Sequence, residues 1–179
     1  NYKITEKGSV FDIIRDETLM CTVRLQVPGR HNALNAVGAL TAAYELDIDL
    51  EKAVSALAQF TGVRRRFEKK GVFNGAMIID DYGHHPTEIE ATLLTARDIC
   101  ASGRIIVAFQ PHRFSRTQIC WSQFAPAFKH ADLTYLLDIY PAGENEISGV
   151  HSKNLSKTIQ RCEYVGTLEQ AKSTLKHTL

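Results

Sequence analysis

The sequence lacks the glycine-rich signatures by which many proteins hold a nucleotide. It contains no Gly-x4-Gly-Lys-Ser/Thr phosphate loop and no dinucleotide fingerprint of three spaced glycines. Its apolar runs are also short: the longest, such as Ile105 to Phe109, are far below the ~20 residues that a membrane-spanning helix needs. We therefore predict that this chain does not hold ATP phosphates by itself and has no membrane partner.

The sequence also lacks closely spaced cysteine pairs and an excess of charge of either sign. Cys21, Cys100, Cys120 and Cys162 are widely scattered, without the paired spacing of a zinc or redox site. The 21 basic residues are balanced by 20 acidic ones, which argues against nucleic acid as the main partner. No basic and apolar leader opens the chain. We predict a cytoplasmic protein with reduced thiols.

The 179 residues are 44% hydrophobic, enough for one sizeable core or two small ones. The clearest shift in composition is residues 62–71, where five bases and one acid lie between two glycines. We place a domain boundary here, with residues 1–66 before it and residues 67–179 after it. A basic run is usually a solvated face, but a guanidinium at a hinge is also suited to clamping a phosphate, and Arg66 is the best candidate.

Residues 1–66 read as a small α+β unit. Alternating β-rich stretches flank the polar turn at residues 15–18 and predict an antiparallel hairpin. Helical spacing follows over residues 31–46 and 50–60. Asn32 and Asn35 lie three apart at the start of the first helix, so both amides project from one face and could meet the edge of an adenine. The alternative is that Asn32 is a helix cap and Asn35 is polar surface.

After the boundary, strand and helix patterns alternate. Alternation of this kind predicts an α/β fold with an open parallel sheet. The predicted strands are residues 76–80, 104–110, 132–138 and 163–165, and the predicted helices are residues 88–101, 115–129, 153–161 and 168–176.

Two loops of this domain contain clusters of polar and charged residues that could bind a ligand. The first follows strand 76–80 and reads Asp80-Asp81-Tyr82-Gly83-His84-His85-Pro86. Loops at the carboxyl ends of parallel strands line the ligand crevice, so we expect a site here. The plainer alternative is that Asp80 or Asp81 caps the next helix, the histidines are solvated and Gly83 supplies a turn.

The second loop carries Arg113 and Arg116, three apart in the first turn of a helix. Cations at that end of a helix are unfavourable unless an anion compensates them, so we predict a bound carboxylate or phosphate. The alternative is an ion pair with an acidic side chain of the same domain. Asp138 and Glu144, after the third strand, could order this loop, although plain surface carboxylates are an equally good explanation.

Four motifs, in order, closely resemble the Mur ligase family, from about Gly29 to Val150. They are Gly29-Arg30-His31-Asn32-Ala33-Leu34-Asn35-Ala36, Arg65-Arg66-Phe67-Glu68, Asp80 to Ile89, and Phe109 to Thr117. The resemblance implies the end of a central ATP-binding domain followed by a Rossmann-like C-terminal domain. It also implies that an N-terminal domain and the phosphate loop lie outside these residues, and that more chain follows Leu179.

The third and fourth motifs are similar to those of the alanine-adding members. The resemblance then implies ATP-dependent activation of UDP-N-acetylmuramate to an acyl-phosphate and its capture by L-alanine, in peptidoglycan precursor synthesis. It assigns Asn32, Asn35, Arg66 and Asp81 to ATP and makes Arg66, Asp81 and His84 catalytic. The alanine would lie among Tyr82, His84, His112, Arg113 and Arg116, with both arginines on its carboxylate. Magnesium would be held mostly outside this chain.

Three alternatives stay open at this point. A murein-peptide recycling ligase typically has Phe-Ala where Tyr82-Gly83 stand and lacks the Pro-His-Arg loop. A non-catalytic module that senses an amino acid or nucleotide would use the same loops without turnover. A nucleic-acid arm at Arg64 to Lys70 would bind with a steep salt dependence.

Overall fold

The computed structural model describes residues 1–5 and 7–179. They form two compact units, one of residues 1–69 with 79–81 and one of residues 70–78 with 82–179. The assignment of residues 1–66 to a central ATP-binding domain stays a prediction.

The first unit packs an antiparallel sheet against two helices. Its strands, in the spatial order β1-β2-β3, are β1 (Tyr2–Thr5), β2 (Gly8–Arg15) and β3 (Thr18–Leu25). Asp16 and Glu17 join β2 to β3 with φ of 48° and 63°, the two positive values that a two-residue hairpin loop requires, so the predicted hairpin is confirmed.

Helices α1 (Arg30–Glu45) and α2 (Leu50–Ala58) follow, close to the predicted bounds. Asp49 caps α2 by accepting a hydrogen bond from the Lys52 N–H. Small residues of α1 allow it to approach the sheet closely. The core of the unit consists of Phe11, Val23, Leu25, Val27, Ala33, Ala36 and Leu40.

A two-stranded sheet follows, made of β4 (Glu68–Phe73) and β5 (Ala76–Asp80). The sequence analysis missed β4 and placed strand 76–80 in the parallel sheet. That placement is wrong, because Asn74 and Gly75, with φ of 47° and 82°, form a two-residue turn that folds β5 back onto β4.

The second unit is built on an open parallel sheet in the order β6-β7-β8. Its elements are α3 (Pro86–Ile99), β6 (Ile106–Phe109), α4 (Phe114–Ile119), α5 (Trp121–Ala127), β7 (Leu133–Leu137), α6 (Ser152–Ser156), β8 (Cys162–Gly166) and α7 (Leu168–Thr178). The predicted α/β class is confirmed. Its core gathers Phe109, Phe124, Leu136 and Leu155.

Two helix predictions in this unit differ from the structure. Residues 115–129 form two helices and not one, since Cys120 leaves helical geometry with φ of −92° and ψ of 8°. Pro126 lies inside α5, where it has no N–H to donate to a preceding carbonyl. The helix predicted over residues 153–161 ends at Ser156, after which Thr158 and Ile159 bond to carbonyls three residues back.

In the described part of the chain, each helix is too short or too polar to cross a lipid bilayer.

Candidate functional site

A row of four aromatic rings crosses the second unit where its strands end. The ring centroids of Tyr82 and His84 are 5.3 Å apart, those of His84 and His112 are 6.1 Å apart, and those of His112 and Tyr140 are 5.4 Å apart. We call Tyr82, His84, His112 and Tyr140 the aromatic row. Three of its members were predicted from the sequence, and Tyr140 was missed.

The first helix of this unit fixes one end of the row. His85 is the N-cap of α3, and its Nδ1 accepts from the Thr87 N–H at 3.3 Å. The Glu88 carboxylate accepts from the N–H groups of His84 and His85 at 3.0 and 3.1 Å. The alternative in which Asp80 or Asp81 caps this helix is therefore wrong, and the helix begins at Pro86, two residues before the predicted start.

His84 is held in one tautomer by its neighbour. Its Nδ1 lies 3.0 Å from the Tyr82 carbonyl oxygen, which can only accept a hydrogen bond. Nδ1 therefore carries the proton, and the Nε2 lone pair is available as an acceptor. The ring is half-buried, so its orientation is constrained by packing as well.

The loops after β6 and β7 are fastened to each other. The Tyr140 N–H donates to the Pro111 carbonyl at 2.8 Å, and the Arg113 N–H donates to the Tyr140 carbonyl at 2.8 Å. His112 and Tyr140 thereby form a parallel bridge beyond the strands. This pairing brings the tyrosine ring against the histidine.

Arg113 adopts an unusual backbone conformation. As the N-cap of α4 it has φ of 74° and ψ of 138°, a backbone conformation that residues other than glycine rarely adopt. Its carbonyl accepts from the N–H and the hydroxyl of Thr117 at 3.1 and 2.8 Å. Such strain persists only where the surroundings determine it, and it concentrates at functional sites.

The two arginines of this loop have different partners. Arg113 Nη1 lies 3.9 Å from Glu144 Oε1, so the ion pair named as the alternative is present for this residue. Arg116 is half-buried, and its Nη1 lies 3.4 Å from His112 Nδ1. Among the described residues, no carboxylate lies within ion-pair distance of Arg116. Arg116 is thus the guanidinium of this loop that is available to bind an anion, whereas Arg113 is already paired with Glu144.

His112 is held neutral beside that guanidinium. Burial lowers its pKa below the ordinary 6.5, and the charges of Arg116, Arg113 and His84 lower it further. Because Arg116 can only donate, the Nδ1 of His112 accepts and Nε2 carries the proton. The loop therefore presents a cation and a neutral N–H donor, the pair of groups that a carboxylate accepts from.

The other predicted residues lie in the first unit. Asn32 donates from its amide to the Pro28 carbonyl at 2.7 Å, and Asn35 is exposed one turn further along α1. The alternative in which Asn32 caps α1 is wrong. The cap is Gly29, whose φ of 105° favours glycine.

Asp81 organises the arginine-rich loop of the first unit. Its Oδ2 accepts from the Phe67 N–H at 2.8 Å, and Asp80 Oδ2 lies 3.5 Å from Arg65 Nε. Arg65 and Phe67 both have positive φ, of 58° and 47°, so these carboxylates hold a tight turn around the exposed Arg66.

His31 was missed as a candidate in the first unit. Burial lowers its pKa, Asp81 raises it and Arg66 lowers it, so the imidazole lies within electrostatic range of both side chains. Its position next to Asn32 in the first motif is the signal that could have identified it.

The described part of the chain contains no cluster of side chains that would hold a metal ion without further ligands. Within residues 1–5 and 7–179, no three His, Cys, Asp or Glu side chains gather as metal ligands. No step of the chemistry proposed below is routed through a metal.

A family model described as the Mur ligase, glutamate ligase domain, matches residues 65–179. The chain is similar to UDP-N-acetylmuramate--L-alanine ligase of Solidesulfovibrio magneticus, with 48% identity over 161 residues. That alignment covers 89% of this chain and 35% of the relative.

Solved structures that share the fold and exceed 25% identity include those of two ligases. The UDP-N-acetylmuramate-alanine ligase of Thermotoga maritima matches with a TM-score of 0.79 and 26% identity, over 97% of this chain and 38% of that one. The murein peptide ligase of Psychrobacter arcticus matches with a TM-score of 0.59 and 26% identity, over 91% and 34%. The chain spans about a third of the length of these proteins. With a family model matched over most of its residues, the chain belongs to the Mur ligase family.

Proposed function

We propose that this chain is part of an ATP-dependent ligase that joins L-alanine to UDP-N-acetylmuramate in the cytoplasm, during peptidoglycan precursor synthesis. The observation that carries the proposal is Arg116, a half-buried guanidinium next to neutral His112 with no carboxylate partner among the described residues. The similarity to alanine-adding ligases supports the choice of amino acid.

The second unit binds the amino acid in this proposal. The carboxylate accepts hydrogen bonds from Arg116 and from the Nε2–H of His112, while Tyr82 and His84 provide the remaining wall. Alanine offers little apolar area, so the charged contact is the main source of its affinity. Arg113 contributes at the edge of this site, where it is already shared with Glu144.

The bond-forming step is the attack of the alanine nitrogen on the acyl-phosphate carbon. The new C–N bond forms, the C–O bond to phosphate breaks, and phosphate leaves with the electron pair. The nitrogen must lose a proton as it becomes an amide. His84 can take it at Nε2, because its own proton is held on Nδ1 by the Tyr82 carbonyl.

The first unit contributes to nucleotide binding. Asn32 and Asn35 face the adenine, and Arg66 stabilises the charge on the transferred phosphoryl group. Asp81 fixes the loop that presents Arg66 by holding the Phe67 N–H. ATP, when bound, supplies the phosphoryl group that activates the sugar carboxylate. The phosphate loop and the UDP-sugar domain belong to the rest of the enzyme.

The test is a pair of substitutions in the complete enzyme. Arg116→Ala is expected to raise KM for alanine roughly 10- to 100-fold, the loss of a hydrogen-bonded charge contact. Arg66→Ala is expected to lower kcat and leave that KM nearly unchanged. Arg104→Ala, an exposed arginine preceding β6, serves as the matched control.

Each alternative gives a different result. Turnover with a murein tripeptide and not with alanine would indicate the recycling ligase. An absence of alanine-dependent ADP release in the complete protein would indicate a binding module. If both arginine substitutions changed only the KM for ATP, the assignment of the Pro-His-Arg loop would be wrong.

A further inference from the structure

The loop after β7 contains Glu144, a half-buried acid that the sequence analysis named only as one that could order the arginine loop. Glu144 Oε2 accepts from the Ser115 N–H at 2.9 Å, and Oε1 accepts from the Ser115 hydroxyl at 2.7 Å. The same carboxylate lies 3.9 Å from Arg113 Nη1. We propose that Glu144 is a positioning and selectivity residue of the amino-acid site: it fixes the arginine loop and neutralises Arg113. The inference rests on the proposed function.

The positioning argument begins with the strain at Arg113. A φ of 74° is sterically strained for any residue other than glycine, so Arg113 needs support on both sides. Tyr140 supports the N-terminal side by accepting from the Arg113 N–H. Glu144 supports the C-terminal side by accepting twice from Ser115. Arg116 follows one residue later, so release of this turn displaces the carboxylate-binding guanidinium.

The apolar packing beneath the loop does not position Arg113 and Ser115, so the Glu144 carboxylate positions them. Phe114 is buried with Ile139 and Val150, which anchors the base of the loop. Arg113 and Ser115, on either side of Phe114, are not part of that cluster and are fixed by polar contacts. Both of them contact Glu144.

The selectivity argument concerns charge. The two hydrogen bonds from Ser115 lower the pKa of Glu144, and Arg113 lowers it further, so the carboxylate is ionised at neutral pH. It offsets the charge of Arg113 and leaves Arg116 as the net cation of the loop, which suits one carboxylate. Without Glu144, two guanidinium groups with no acid between them would favour a doubly charged anion.

The experiment compares Glu144→Gln with wild type in the complete enzyme. The amide that this substitution introduces carries no charge and cannot accept at both of its terminal atoms. We expect KM for alanine to rise about tenfold, with kcat within about twofold of wild type. We also expect malonate, a small dianion, to become a competitive inhibitor against alanine. A purely structural role would raise KM without this gain of malonate inhibition.

Three further variants complete the design. Glu146→Gln removes the same charge from an exposed position two residues away and should behave as wild type. Glu144→Asp keeps the charge, so KM should rise while malonate stays ineffective. Ser115→Ala removes one hydrogen bond and keeps the charge, so it should give the same pattern with a smaller rise, and it still tests the positioning role if Glu144→Gln does not fold.

Two results would overturn the inference. One is an unchanged KM for alanine in Glu144→Gln, and the other is equal malonate sensitivity in Glu144→Gln and Glu146→Gln. Either result, obtained with an active wild-type enzyme, overturns this inference alone. A complete wild-type enzyme without alanine-dependent turnover overturns the proposed function instead.

Discussion

At the residue scale, the protonation state of His112 decides whether Arg116 keeps its partner. The pKa of this histidine lies below 6.5, so the ring stays neutral through the physiological range. As pH falls through that lowered pKa, Nδ1 is protonated, the hydrogen bond from Arg116 is lost and a second cation appears beside it. We therefore expect kcat/KM for alanine in the complete enzyme to be steady above about pH 6.5 and to fall below it.

The matched variant is His112→Asn, whose amide oxygen can accept from Arg116 but does not titrate. Its kcat/KM should be lower than that of wild type at pH 7.5, and the decline on acidification should be weaker. Since His84 is the neighbouring imidazole in the same row, His84→Asn must be measured in parallel. An acid limb that disappears with His84→Asn and persists with His112→Asn would show that His112 does not control it.

Three of the residues named from the sequence belong to loops that follow a strand. Tyr82, His84 and His112 were expected together on the premise that the strands before them share one parallel sheet. That premise is wrong for β5, which pairs with β4, but the three rings still lie in one row. Tyr140 was not recognised as a site residue, and Glu144 was named only as a carboxylate that could order the arginine loop. Their partners lie 28 or 29 positions earlier in the chain, a pairing that depends on the register between the loops after β6 and β7.

At the element scale, the entry to α4 stores backbone strain that can be measured. Arg113→Ala and Arg113→Gly remove the same side chain, but only glycine adopts φ of 74° without a steric penalty. We expect the glycine variant to be more stable than the alanine variant by about 1 kcal/mol, after allowing for the greater entropy of glycine in the unfolded chain.

Thermal unfolding of the two variants, followed by circular dichroism, measures this difference. The glycine variant should melt above the alanine variant by a few degrees, about the shift expected for 1 kcal/mol in a chain of this size. Asn74→Gly against Asn74→Ala, at a turn with φ of 47°, is the control for an ordinary left-handed position. Equal melting temperatures for the two Arg113 variants would show that the turn is not strained.

The alternation of strands and helices after residue 76 was predictable because its periodicities are local. The pairing of β5 was not predicted correctly, although Asn74-Gly75 is a strong hairpin signal in the sequence. The apolar run at Ala76 to Ile79 fits either a parallel strand or one arm of a hairpin, so periodicity alone could not decide. The break at Cys120 left no comparable signal, since the residues around it are compatible with a continuous helix.

At the scale of the whole molecule, the candidate residues divide between the two compact units. Asn32, Asn35, Arg66 and Asp81 belong to the first, and the aromatic row with Arg113 and Arg116 belongs to the second. Each unit has its own hydrophobic core. The proposed nucleotide and amino-acid contacts therefore rest on two separately packed scaffolds, and the proposed ligation requires both of them.

This division makes a prediction about the 179-residue chain itself. The sequence contains no phosphate loop, so it has no cradle of backbone N–H groups to hold the phosphates of ATP. We expect the purified chain to release no phosphate from ATP, with or without alanine and UDP-N-acetylmuramate. The complete polypeptide, assayed under the same conditions, should release phosphate only when both acceptor substrates are present. Steady ATP hydrolysis by the 179-residue chain, abolished by Arg66→Ala, would show that these residues hold the phosphates without help and would overturn the division of roles between this chain and the rest of the enzyme.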